Sequence, residues 1–166
     1  MGEIVGLAAS IVQIVRASAQ LSTSLYQFAS SVKTADKEVA DFAGDVEITA
    51  NALQSVGKVF EGENAQSIVS KKAVQDANNL IKRCEAVFGE ISELVNKRMK
   101  VHKDGKKSLS AFGKLIWPTK EQSVELLRRR LESLKNSLVL LLHVIQLANS
   151  QAKGFVSIKY TVNYPF

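Results

Sequence analysis

The side chains best suited to catalysis are few and scattered. Two histidines, His102 and His143, and one cysteine, Cys84, occur in 166 residues. A metal centre, or a nucleophile with its base, needs such groups at ligand spacing or beside carboxylates. Here His102 lies in a lysine-rich stretch, His143 inside LVLLLHVIQLA, and Cys84 among Ile81, Val87 and Phe88. Gly105 and Gly113 stand alone, so no glycine-rich phosphate loop is formed. These residues predict no enzyme, no metal and no cofactor. Cys84 reads as a buried, inert thiol, and His143 as a partly buried side chain with one hydrogen bond. A single cysteine provides no internal disulfide framework, which fits an intracellular chain.

Charge is more informative. The net charge is +6, but residues 1–50 hold three basic against six acidic side chains, whereas residues 97–120 hold eight basic against Asp104 alone. Lys97, Arg98, Lys100, Lys103, Lys106 and Lys107 form the dense part of that cluster and are the candidate contacts for anionic lipid. Each Lys or Arg near such a surface contributes roughly 1 kcal/mol. Nucleic acid ranks last as a partner, because Phe112 and Trp117 do not interleave with the lysines as stacking on bases requires. A plain solvated loop is the competing account. Arg128, Arg129 and Arg130 are consecutive on a helix, so they point apart and make a rim instead of a patch.

The start of the chain, IVGLAASIVQIVRASAQL, is nearly free of charge. A secretory signal would carry basic residues ahead of its apolar part, yet Glu3 is the only charge before Arg16. The run Ile4 to Val15 is shorter than the roughly 20 residues a bilayer core requires. Gly2 is a poor myristoylation signal, since Gly6 stands where Ser or Thr is wanted.

Apolar residues recur at steps of three and four in four segments. The series are Ile4 to Val32, Val39 to Phe60, Val74 to Val95 and Val124 to Ala148. Thr119 and Gln122 have the form of a capping box for the last segment, and Pro118 stops any earlier helix from running through. Breaks fall at residues 30–36, 61–66 and 99–118. This pattern predicts an all-α fold, an antiparallel bundle of four to five long helices over residues 1–154. Within it LVLLLHVIQLA should be covered on most of its circumference. Residues 155–166 alternate Val156, Ile158, Tyr160, Val162 and Tyr164 with mostly polar neighbours, which predicts a flexible or strand-like tail.

GLAASIVQIV, LSTSLYQFASSVKTADKEV and LIWPTKEQSVELLRRRLESLKNSLVLLLHVI together resemble the HeLo-like N-terminal domains of fungal NLR-type (STAND) and heterokaryon-incompatibility proteins, over about residues 2–150. The resemblance implies a helical bundle acting in programmed cell death or self/non-self recognition. It implies an upstream receptor or amyloid-type activator, and a cytoplasmic domain that moves to the plasma membrane when clustered. Carried over, the inserting residues are Ile4, Val5, Leu7, Ile11, Val12, Ile14 and Val15. The chain departs from the family in lacking a nucleotide-binding domain and in its short apolar run.

The residues themselves supply a parallel argument. Val5, Ala8, Val12 and Val15 form a second apolar stripe beside Ile4, Leu7, Ile11 and Ile14, more than one bundle seam uses. Self-association and membrane association through the first helix are therefore expected. The alternative is a constitutive homodimerisation or partner-docking module without membrane activity.

Overall fold

Each of the four stripes becomes one helix. The computed structural model describes residues 2–31, 36–62, 69–97, 99–101, 107–109 and 122–162. Helix α1 is Gly2–Ser31, α2 is Asp36–Glu61, α3 is Lys71–Asn96 and α4 is Gln122–Val162. Between α3 and α4, strands β1 (Met99–Val101) and β2 (Lys107–Leu109) pair antiparallel, with Lys100 opposite Ser108 and Val101 opposite Lys107. The fold is all-α in its architecture, with four helices among the described residues and not a fifth.

The helices form where periodicity places them, and their seams are the core. Leu7, Ile11, Ile14, Ser18, Leu21, Leu25 and Phe28 are buried along α1, as are Val39, Phe42, Val46, Thr49, Leu53, Val56 and Phe60 along α2. In α3 the buried seam is widened by Leu80 and Val87, and in α4 it runs from Val124 through Leu131 and Leu138 to Ile145. Polar members of the seams spend their hydroxyls locally: Ser18 donates to the Val15 carbonyl at 2.7 Å and Thr49 to that of Asp45 at 2.7 Å. Neither burial leaves a hydroxyl unsatisfied. Ser70 caps α3 by accepting from the Ala73 N–H at 3.1 Å. The proposed capping residue of α4, Thr119, lies outside the described residues.

Helix α1 packs on α2 and α3, and α4 packs on the same two, so α1 and α4 occupy opposite corners. The α1–α2 contact is antiparallel and close. Ser22 Oγ donates to the Ala43 carbonyl at 3.3 Å and Tyr26 reaches Glu47 at 3.4 Å, while Gly57 meets Ile11 toward the other end. A Cβ added to Gly57 would stand 2.8 Å from Ile11 Cγ2, so glycine sets the spacing there. At the start of α4, Arg128 donates to the Glu38 carbonyl at 2.7 Å and lies 5.7 Å from the Phe42 ring centroid, which fixes α4 to the start of α2. Arg130 pairs with Glu90 of α3 at 2.6 Å, and Arg129 with Glu125 of its own helix at 3.0 Å. The three arginines thus serve three directions.

Two expectations need correction. The backbone of residues 155–162 continues α4 as helix, not as strand or tail; residues 163–166 lie outside the described set. Once a helix is nucleated each added residue gains a hydrogen bond, whereas a lone strand has no partner. His143 is exposed, and LVLLLHVIQLA is covered on one face only, because α2 and α3 are the neighbours of α4 and both lie on its core side. Helix α1 has the length that the Ile4 to Val32 series predicts, and Gly2–Ser30 is long and apolar enough to cross a membrane, as is Gln122–Ala152, by length and composition. Core helices of water-soluble bundles meet the same criterion, so the uncovered faces are the discriminating feature.

Candidate functional site

Burial divides the seven α1 residues singled out by the sequence. Leu7, Ile11 and Ile14 are sealed in the core, and Ile4 and Val15 are partly buried against it. Val5 and Val12 face outward, 66% and 38% exposed. The two positions are seven apart, two turns along one face, with exposed Ala9 beside them and partly buried Ala8 toward the core. The second stripe therefore exists as a surface, narrower than the seven residues together.

The basic segment lies elsewhere. It joins the end of α3 to the start of α4, and the start of α4 sits beside Glu38 at the start of α2. The start of α2 follows the end of α1 after four residues, so the described lysines Lys97, Lys100 and Lys107 belong to the end of the bundle where α1 finishes. At 1.5 Å per residue, Val5 and Val12 are roughly 30 to 40 Å from that end. Lys97 is exposed just past α3, its N–H bonded to the Glu93 carbonyl at 3.0 Å. Lys100 and Lys107 stand in the paired strands, one register step apart. Arg98, Lys103 and Lys106 lie outside the described residues. Val5 and Val12 are thus not brought together with Lys97, Lys100 and Lys107 at one tip.

A larger apolar surface lies on α4, away from the candidates of α1. Leu140, Val144 and Leu147 of α4 are exposed, with Val139 at their side and Leu126 about four turns toward the N-terminus. Their spacing of four and three is plain in the sequence, where it predicts covering neighbours that the bundle does not provide.

The grooves differ in their chemistry: one between α2 and α4 gathers Asp41, Asp45, Glu125 and Glu132 with Arg128, Arg129 and Lys135, a mixed-charge surface. A groove of about 460 Å³ between α1 and α3 is lined by Ile14, Leu21, Phe88 and Val95 among others, with Glu85 its one ionisable side chain. One carboxylate beside amides and hydroxyls makes no acid–base pair. Among the described residues no group of three or more His, Cys, Asp and Glu is placed to hold a metal. Cys84 is fully buried, and burial pushes its thiol up to about 12, against a smaller opposing effect of Arg83. At neutral pH it is a protonated packing element. Tyr26 is also shifted upward, first by desolvation and then by the Glu47 carboxylate it contacts.

Compared with known proteins, the chain matches the family described as the pigment biosynthesis cluster protein PigL N-terminal domain over residues 2–162. No curated protein and no solved structure matches it. The match extends to the last described residue of α4, eight residues past the predicted boundary.

Proposed function

The chain belongs to the PigL N-terminal family, which is found in fungal proteins, and from that premise we propose that it is a helical signalling domain whose output is association: oligomerisation, then membrane association of α1. The observation that supports this reading is the outward flank of α1, Val5 and Val12, on a helix whose other face is sealed. The likeness to HeLo-like domains supports a role in fungal cell death or self/non-self recognition, with a clustering receptor or amyloid-type segment upstream. On that reading the domain rests in the cytoplasm and reaches the plasma membrane when clustered.

Energetics make the membrane step conditional. Freeing α1 exposes Leu7, Ile11, Ile14, Leu21, Leu25 and Phe28, each worth about 1.5 to 3 kcal/mol of burial. Together that rivals the roughly 5 to 15 kcal/mol that holds a domain folded. A lone copy therefore keeps α1 docked, and contacts between copies must offset the loss.

The test is dye release from vesicles containing phosphatidylserine, using the whole chain clustered through an inducible dimerising tag. The informative variant is Val5→Glu with Val12→Glu, because both side chains already face solvent; the buried Leu7 and Ile11 would report unfolding instead. Release by clustered wild type and none by the variant is expected. Equal release by both, or none by either, removes the membrane half of the reading. The separation of Lys97, Lys100 and Lys107 from Val5 and Val12 favours the alternative of a docking module without membrane activity. Concentration-dependent mass in light scattering with no vesicle binding is its signature.

A further inference from the structure

Residues 136–152 of α4 contain no Asp, Glu, Lys or Arg over about 25 Å of helix. One face of this stretch is the buried seam of Leu138, Leu141 and Ile145. The opposite face carries Leu140, Val144 and Leu147, 65%, 54% and 61% exposed, flanked by Val139 at 39%. Four then three residues apart, these side chains form a second seam with the spacing that helix-on-helix packing uses. Leu126, two heptads before Leu140, extends the line, with Ser133 between them.

We propose that this face is the docking surface for a second copy of the chain, α4 lying antiparallel on α4 about a twofold axis at Val144. The proposal rests on the self-association part of the reading above, and gives it a different surface from α1. Charge identifies the occupant. Residue 144 is the midpoint of the uncharged stretch, so an antiparallel pair centred there lays the whole neutral segment on its own copy; Lys135 and Lys153, which bound it, come level with one another but stand nine residues from residue 144, on the opposite side of the helix. A charged partner finds no counter-ion within the stretch. An anionic bilayer finds none either, since helices that lie on such surfaces carry Lys and Arg along their polar face. Exposed Asn136, His143, Gln146 and Gln151 supply a neutral polar rim around the seam.

Size fixes the expected strength. Four partly exposed aliphatic side chains per copy place the contact among small interfaces, below about 1,200 Å², the class of weak and reversible encounters. Such a surface leaves a dilute chain monomeric and pairs copies that an activator has gathered.

Sedimentation of the whole chain from about 10 µM to 1 mM tests this, together with oxidation of a Val144→Cys variant; Cys84 is buried and does not compete. Expected are a weight-average mass that rises with concentration, a disulfide-linked Val144→Cys dimer, and loss of the rise in Leu140→Lys with Val144→Lys. The circular dichroism and melting of that variant should match wild type, because both side chains face solvent already. The Val5→Glu, Val12→Glu variant should keep the rise. A chain monomeric at 1 mM overturns the proposal, as does a rise that survives Leu140→Lys, Val144→Lys. If the rise is instead lost in the Val5, Val12 variant, the α1 reading stands and this one falls. Monomeric wild type that binds neutral phosphatidylcholine vesicles through Leu140 and Val144 makes the bilayer the occupant, and also overturns it.

Discussion

Replacing Gly57 by alanine should destabilise the chain, and the same replacement should stabilise it once Ile11 is shortened. In an ordinary helix interior, Gly to Ala gains about 1 kcal/mol of propensity. At position 57 the new methyl would stand 2.8 Å from Ile11 Cγ2 and 3.5 Å from Ile11 Cβ, where carbon atoms prefer about 3.5 to 4.0 Å. Ile11 is β-branched, 1% exposed and held at χ1, so its branch methyl does not swing away; α1 and α2 must part instead. Overpacking of this kind costs about 1 to 3 kcal/mol, leaving a net loss of about 1 kcal/mol after the propensity gain. In a chain of this length that lowers Tm by about 2 to 4 °C. Ile11→Ala costs about 2 to 5 kcal/mol by itself, but it empties the space the methyl needs. On that background Gly57→Ala should raise stability by about 1 kcal/mol, a coupling of about 2 kcal/mol. Ile11→Leu, which moves the branch off Cβ, should show the same reversal with a smaller starting loss. Thermal and urea unfolding followed at 222 nm on the four-member cycle measures it. If Gly57→Ala raises Tm equally in both backgrounds, the close approach of α1 to α2 is not what glycine is there for.

Two further outcomes follow from single side chains. Cys84 is raised from an ordinary 9.0 to about 12, so its contribution is fully present below pH 9 and is lost as pH climbs from 9 to 12, where the unfolded chain releases the proton first. Wild type should therefore lose more stability than Cys84→Ala between pH 8 and pH 10.5 in parallel melts; equal losses would contradict the buried thiol. Ser70→Ala removes the acceptor of the Ala73 N–H and should cost about 1 kcal/mol, read as a drop of a few degrees in Tm, with Ser70→Asp restoring it. An unchanged Tm in Ser70→Ala would show that solvent satisfies that amide as well as the hydroxyl does.

The seams of the bundle are legible in the sequence because a helix buries what recurs at three and four. Phe42, Leu53, Leu131 and Leu138 are all at or below 1% exposure, as their spacing requires. The same signal says how much of a helix is apolar, not how many neighbours it has. Leu140, Val144 and Leu147 look as buried as Leu138 in sequence, and only the arrangement of α2 and α3 on one side of α4 separates them. The helical run of residues 155–162 shows the converse limit, where a two-residue alternation such as Val156, Ile158 and Tyr160 is overruled by the helix leading into it. Val5 and Val12 were identifiable as surplus from the doubled stripe. Their distance from Lys97, Lys100 and Lys107 was not, since it depends on which end each connection occupies.

The opposite corners held by α1 and α4 bear on stoichiometry. Their free sides look away from a shared interior, so a neighbour seated on one leaves the other clear. A copy using a single side completes a closed pair, whereas a copy using both becomes a bivalent link, and links that join like to like alternate along an open string with no inherent last member. If copies pair through these sides as proposed, the occupancy of the second corner decides whether assembly stops at two or keeps growing, a threshold that local crowding can cross without any change in the fold of the individual chain.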